Sequence, residues 1–240
     1  MITRIFSLYQ DIDDNFKEKY SAQKYGEVQS LNAFSQELNE LIKLKNIITD
    51  KSVMLITIKY PYSNKYKKNF AILAENIARM NQLPIVYSFY NHPVNNPAYF
   101  YDNQKQTDRK AVVGLISKND SKKYFGYSFI VVEDSVISGA TLNALRSSVN
   151  DITQSLSVFS ILDLRGKDVS ERELNEAYFV NKGVGGLISL LKLADYVPTT
   201  QMLRTLGVLD KEEKRQIIDV IPNPQELVAS YKEYTGQDLI

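Results

Sequence analysis

The sequence predicts an α/β fold: a parallel sheet flanked by helices, with an α-helical C-terminal cap. Three observations lead there. Short, β-branched apolar runs alternate with amphipathic helical stretches between residues 29 and 164, and strands separated by helices form parallel sheets, because a parallel pair needs a long crossover. After Arg165 the strand runs stop, and only helical periods and caps remain. A chain of 240 residues with 44% apolar content has enough material for one sizeable core with extra helices. The expected division is an α/β core with an N-terminal helix over residues 1–165, and a helical extension packed on it over residues 166–240.

The elements follow in order. In residues 29–45 the apolar positions Leu31, Phe34, Leu38, Leu41 and Ile42 fall three and four apart, the spacing of an amphipathic helix. KSVMLITI, residues 51–58, is long enough for a buried strand and too short for a buried helix. A loop with Pro61 follows, then helical spacing over residues 69–80, closed by Pro84, and IVYSFY as the next strand. Residues 92–110 are polar and rich in Asn and Pro, a long loop. Residues 111–117 form a weakly signalled strand, residues 118–127 a polar turn, and SFIVV, residues 128–132, the strongest strand. Residues 141–150 look helical, and LSVFSILDL, residues 156–164, is a further strand. Breaks at Gly183, Pro198, Gly207 and Pro222–Pro224 divide the remainder into three to five short helices.

Composition narrows the chemistry. The 29 basic and 28 acidic residues leave a formal charge of +1, so bulk basicity is no basis for nucleic-acid binding, and only a local patch or a partner protein would supply it. The absence of cysteine excludes disulfides, thiolate metal sites and a cysteine nucleophile. A single histidine, His92, argues against a histidine metal cluster or a Ser-His-Asp triad. No run of apolar residues is long enough to span a membrane, and the N-terminus lacks a basic-then-apolar leader. A cytoplasmic protein is expected.

The segment richest in chemistry is FIVVEDSVISGATL, residues 129–142. An apolar strand runs into Glu133 and Asp134, a short loop of small residues follows, and a helix starts near Thr141. Such a loop lies at the carboxyl end of a parallel strand and at a helix N-terminus, where backbone N–H groups point outward and attract anions. Ser138, Gly139 and Thr141 would let a phosphate approach the backbone and would add hydroxyl donors. Two carboxylates just ahead of a phosphate cradle suit the cis hydroxyls of a ribose, or a divalent cation bridging ribose and pyrophosphate. The plainer alternative is that Glu133 and Asp134 end a strand and cap the next helix.

EDSVISGATL resembles the phosphoribosyl-pyrophosphate (PRPP) motif of type I phosphoribosyltransferases, an acidic pair followed by a Thr/Ser-Gly-x-Thr loop. The resemblance implies a type I phosphoribosyltransferase-like sheet. It assigns Glu133 and Asp134 to the ribose and, indirectly through ribose, to Mg²⁺. Val136, Ile137, Ser138, Gly139, Ala140 and Thr141 match the loop around the 5′-phosphate. Ile137 stands where the family usually has a hydroxyl residue, which removes one donor. The strand–loop–helix–strand order of residues 51–89 is similar to the family's first half, with the loop over residues 59–63 at its pyrophosphate position, though without the usual glycine pattern. Lys59 there, and Arg109 and Lys110 ahead of the motif strand, are the implied pyrophosphate contacts. Lys-Tyr-Gly-Glu, residues 24–27, together with the helical last third, is similar to a subgroup of phosphoribosyltransferases found near tellurite-resistance genes.

What this implies is a phosphoribosyltransferase that binds PRPP or a ribonucleotide with Mg²⁺ and transfers or recognises the phosphoribosyl group. Two rivals stand beside it: a non-catalytic PRPP- or nucleotide-binding regulator, and a nucleotide-acting effector subunit of a defence or stress complex. Either role is compatible with a homo-oligomer or a complex subunit. Among other candidates, Lys59, Lys65, Lys67 and Lys68 with Tyr60, Tyr62 and Tyr66 form a basic, aromatic stretch that reads as a solvated face, a pyrophosphate grip or a nucleic-acid patch. Tyr99, Phe100 and Tyr101 in the long loop are candidates for stacking on a base. Lys182–Gly186 reads as a helix–helix turn.

Overall fold

A computed structural model describes residues 2–60, 66–91, 115–137, 140–167 and 170–240. The chain runs β1 (Ile2–Tyr9), α1 (Asp14–Lys24), α2 (Val28–Leu44), β2 (Ser52–Tyr60), α3 (Asn69–Met80), β3 (Ile85–Asn91), β4 (Leu115–Ile116), α4 (Lys118–Lys123), β5 (Tyr127–Val136), α5 (Ala140–Val149) and β6 (Thr153–Asp163). It finishes with α6 (Glu171–Leu191), α7 (Thr200–Val208), α8 (Lys211–Val220) and α9 (Pro224–Thr235).

The strands form one sheet in the order β1-β6-β5-β2-β3-β4. Every neighbouring pair is parallel except the short β3–β4 pair at the edge. The expected parallel sheet with flanking helices and a helical C-terminal region is therefore present. Side chains alternate across the pleat, so each strand feeds two cores. On one face Met54, Ile56, Ile130, Val132 and Phe159 pack with Leu31, Phe34 and Leu38 of α2 and Leu73 and Ile77 of α3. On the other, Val53, Leu55, Val86, Phe129, Val131 and Val158 meet Leu142, Leu145 and Val149 of α5.

A third core belongs to the C-terminal helices. Leu187, Leu190, Met202, Leu203, Leu206 and Leu227 pack together and take in Ala22 and Tyr25 from the end of α1, and Tyr66 from the segment before α3. No helix among the described residues is long and apolar enough to cross a membrane.

Several local expectations are corrected. Residues 2–9 form β1, which was not read as a strand: adjacent Ile5 and Phe6, and the interspersed Arg4 and Ser7, give no clean period of two. This edge strand is only half-buried. α1 was also missed, because the face it buries near its end carries Ser21, Gln23 and Lys24 beside Tyr20 and Ala22. The strand expected over 111–117 contributes only Leu115 and Ile116, antiparallel to β3, and residues 111–114 lie outside the described residues. Within the expected polar turn, Ser117 caps the short α4 by accepting from Asp120 N. The break expected at Gly183 is present inside α6: with a φ of 59° and a ψ of −160° its backbone is non-helical, and two helical stretches meet there across a kink. Gly207 lies inside α7 and breaks nothing.

The turn after α1 is where the C-terminal core and the sheet layer meet. Gly26 has a φ of +92°, and a Cβ there would collide with the Val197 carbonyl oxygen. Gly26→Ala is expected to lose at least about 1–2 kcal/mol from the left-handed backbone alone, with the collision adding to it. Urea unfolding measures the loss, and an unchanged midpoint would contradict this packing.

Candidate active site at the carboxyl end of the sheet

The order of the sheet creates a crevice. β2 connects through α3 to β3 on one side, whereas β5 connects through α5 to β6 on the other. The segments leaving β2 and β5 therefore diverge, and α3 and α5 cover opposite faces. Open α/β sheets bind ligands at such a reversal, outside the carboxyl ends of the strands. The acidic pair of β5 and Lys59 of β2 border this point.

β5 does not stop at the acidic pair. It continues to Val136, so Glu133 and Asp134 lie inside the strand near its end. Alternation then sends them to opposite faces. Glu133 follows Val131 and Phe129 on the α5 side, while Asp134 follows Val132 and Ile130 on the α2–α3 side.

Their surroundings differ accordingly. Glu133 is 6% exposed and lies in register with Ser160 of β6. Its Oε1 and the Ser160 Oγ are buried with no hydrogen-bond partner among the described residues. Burial, and secondarily the charge of Asp134, pushes the Glu133 carboxyl up to about 8, against a weaker opposing pull from Lys68 and Lys24. Asp134 is nearly as buried, and burial also pushes it upward. However, Lys24 Nζ donates to its Oδ2 at 2.5 Å and Ser135 N to its Oδ1 at 2.7 Å. With Lys68 adding a smaller pull, these contacts hold Asp134 below the usual carboxylate range. The side chains of Lys24 and Asp134 are only 9% and 14% exposed. Two adjacent acids thus differ in charge at neutral pH: Glu133 keeps its proton and Asp134 is ionised.

The remaining candidates are distributed as follows. Val136 is a core residue, and its carbonyl accepts from Leu164 N at 2.8 Å. Ile137 is partly buried against the α2–α3 core. Ser138 and Gly139 lie outside the described residues; Ala140 and Thr141 open α5, their side chains outside the description. Lys59 is the penultimate residue of β2, in register with Tyr90, with its side chain likewise undescribed. Arg109, Lys110, His92, Lys65, Tyr62 and residues 99–101 lie outside the described residues. Lys67 pairs with Glu75 at 2.7 Å. Lys68, which precedes α3, acts electrostatically on both acids. Among the described residues, no group of three or more acidic or histidine side chains could hold a metal ion.

Sequence reasoning missed Lys24 as a member of the site. Lys24 was noted only as part of a four-residue resemblance, and no short-range pattern links it to an aspartate 110 positions away. Lys68 lay in the lysine cluster readable as a pyrophosphate grip or a solvated face, and only the fold singles it out beside the acidic pair.

Fold and strand order define an open α/β protein whose connections reverse direction between β2 and β5. No family model and no curated protein matches the chain. It is similar to the solved structure of the hypoxanthine phosphoribosyltransferase of Trypanosoma cruzi, at 18% identity over 68% of this chain and 75% of that one, with a TM-score of 0.35. A hypoxanthine-guanine phosphoribosyltransferase of Bacillus anthracis is similar at 17% identity over 69% and 79%, with a TM-score of 0.34.

The protonated Glu133 has a thermodynamic signature. Below its ordinary value of 4.5 both folded and unfolded chains carry the proton; between that and about 8 only the folded chain does. Its contribution to stability is therefore complete at low pH and is lost as pH rises through about 8. Glu133→Gln should match wild type near ~pH 5 and exceed it near ~pH 9 by on the order of a few kcal/mol. Chemical denaturation at both pH values measures this, and parallel pH profiles would show that Glu133 is not buried as described.

Proposed function

We propose that the chain binds a 5-phosphorylated ribose, as PRPP with Mg²⁺ or as a ribonucleotide, in the crevice between β2 and β5, and that it is a phosphoribosyltransferase. The observation that carries this reading is the reversal of strand order at that place. It brings the acidic pair and the N-terminus of α5 to one side of the crevice, and Lys59 near the end of β2 to the other. A sugar bearing an anion at each end matches a crevice with backbone donors on one flank and cations on the other.

The roles divide by charge. Asp134, ionised, accepts from sugar hydroxyls. Glu133, holding its proton, has a donor to offer. Loop 136–141 supplies backbone N–H groups for the 5′-phosphate. Lys59, Arg109 and Lys110 are the proposed partners of the pyrophosphate, whose departure from the anomeric carbon leaves a positively charged sugar that Asp134 stabilises. Glu133 is protonated and the Asp134 carboxylate is already paired with the Lys24 ammonium, whose charge opposes a second cation, so neither suits direct ligation of a metal. Mg²⁺ fits this donor set when carried by the ligand's own pyrophosphate and hydroxyls, where it neutralises the leaving group.

A second reading, a regulator that senses PRPP or a nucleotide without turnover, draws on the loop over residues 59–63, which has no glycine to let a pyrophosphate approach the backbone. Release of pyrophosphate from PRPP with a panel of nucleobases separates the two.

Calorimetry with PRPP and ribose 5-phosphate in the presence of Mg²⁺ tests the binding they share. Binding at or below about millimolar ligand is expected, and Asp134→Asn should weaken it by about tenfold or more, the usual cost of losing a hydrogen bond to a charged group. No heat and no thermal shift from either ligand would overturn the assignment.

A further inference from the structure

The end of α1 that carries Lys24 is fixed from several directions. The Lys24 carbonyl accepts from Thr199 Oγ1 at 2.6 Å, and Val197 N donates to the Gly26 carbonyl at 3.3 Å. The same 197–200 segment reaches the chain just before α3: Lys67 N donates to the Pro198 carbonyl at 3.3 Å, and Thr200 N to the Lys67 carbonyl at 2.9 Å. One residue before Lys24, Gln23 accepts from Asn69 Nδ2 at 2.9 Å. Deeper in α1, Ser21 Oγ donates to the Asn175 carbonyl at 2.7 Å and accepts from Tyr178 N at 2.9 Å. A strap from the C-terminal region thus ties the end of α1 to the segment entering α3, and both border the crevice.

The effect on Asp134 is geometric. An ionised carboxylate offers about four lone-pair directions, two on each oxygen. Lys24 takes one on Oδ2 and the Ser135 N–H one on Oδ1. Among the described residues one acceptor direction per oxygen is left, which is what a vicinal diol requires. For stability alone α1 could have met the core with an apolar residue, since paired buried charges are seldom better than well-packed apolar ones.

We propose that Lys24 is a positioning residue of the phosphoribosyl site: it holds Asp134 in one orientation, presenting its two remaining lone-pair directions to the 2- and 3-hydroxyls of ribose, and so makes the site select ribose over 2-deoxyribose phosphates. The 197–200 strap sets where Lys24 stands, which gives the helical C-terminal region a part in ligand choice. This inference rests on the phosphoribosyl reading above.

The test compares ribose 5-phosphate with 2-deoxyribose 5-phosphate by calorimetry on the full chain. Wild type is expected to prefer the ribose ligand by about tenfold or more, the value of one hydrogen bond to a charged acceptor. Lys24→Met should bring that ratio close to one, while Lys24→Arg restores most of it. The double variant Lys24→Met/Asp134→Asn should discriminate no less than Asp134→Asn alone. Because Lys24→Met leaves a buried carboxylate unpaired and can unfold the chain, Thr199→Val is the second probe: it keeps both charges, loosens the strap, and should lower the ratio several-fold. A wild-type ratio in Lys24→Met, or in Thr199→Val where Lys24→Met does not fold, overturns the role of Lys24 and leaves the phosphoribosyl reading standing. Wild type that binds neither sugar phosphate overturns both.

Discussion

The ion pair between Lys24 and Asp134 joins the N-terminal part of the chain to its central strand, and much of the molecule is arranged around it. Two charges this deeply placed are tolerable only when each supplies what the other lost in leaving water. That requirement fixes the end of α1 against β5, and the end of α1 is in turn the seat on which α6 and α7 pack. Ala22 and Tyr25 enter the C-terminal core, and Tyr25 OH pairs with Thr205 Oγ1 at 2.8 Å. The C-terminal helices are therefore bound to the sheet layer through α1 and the Tyr66–Lys68 segment, both of which border the crevice.

Alternation along a strand makes neighbours unlike. Glu133 and Asp134 share a backbone unit, yet one faces a dry row beside Ser160 and the other meets an ammonium. A single chemical feature of the sequence, two acids in a row, thus yields one neutral acid and one carboxylate. Proton donor and proton acceptor stand within one dipeptide, with their environments rather than their identities setting the division.

The central strands were readable because burial on both faces demands continuous apolar, β-branched runs, which β2, β3, β5 and β6 have. β1 escaped notice because an edge strand half-open to water has no such demand. α1 escaped because it buries hydrogen-bonded polar groups, invisible to any test of apolar period. The acidic pair and its position near a strand end were visible in the sequence. That the strand continues through Ser135 and Val136 was not, since Asp and Ser carry weak strand propensity and only pairing with Leu162 and Asp163 of β6 extends it. Lys24 lay beyond reach for a different reason: an ion pair across 110 positions leaves no spacing to detect.

The position of β1 bears on how the molecule assembles. Ile2 pairs with Ser155, and the strand's whole register lies against β6, synthesised some 150 positions later. Contacts so distant in sequence are costly to close and form late. On a ribosome, β1 must wait for β6, and the end of α1, although its earlier turns pack on α2, gains its bond from Thr199 only when the 197–200 segment follows. A chain truncated before residue 197 would thus keep both Lys24 and the acidic pair and lack the strap that bonds the end of α1.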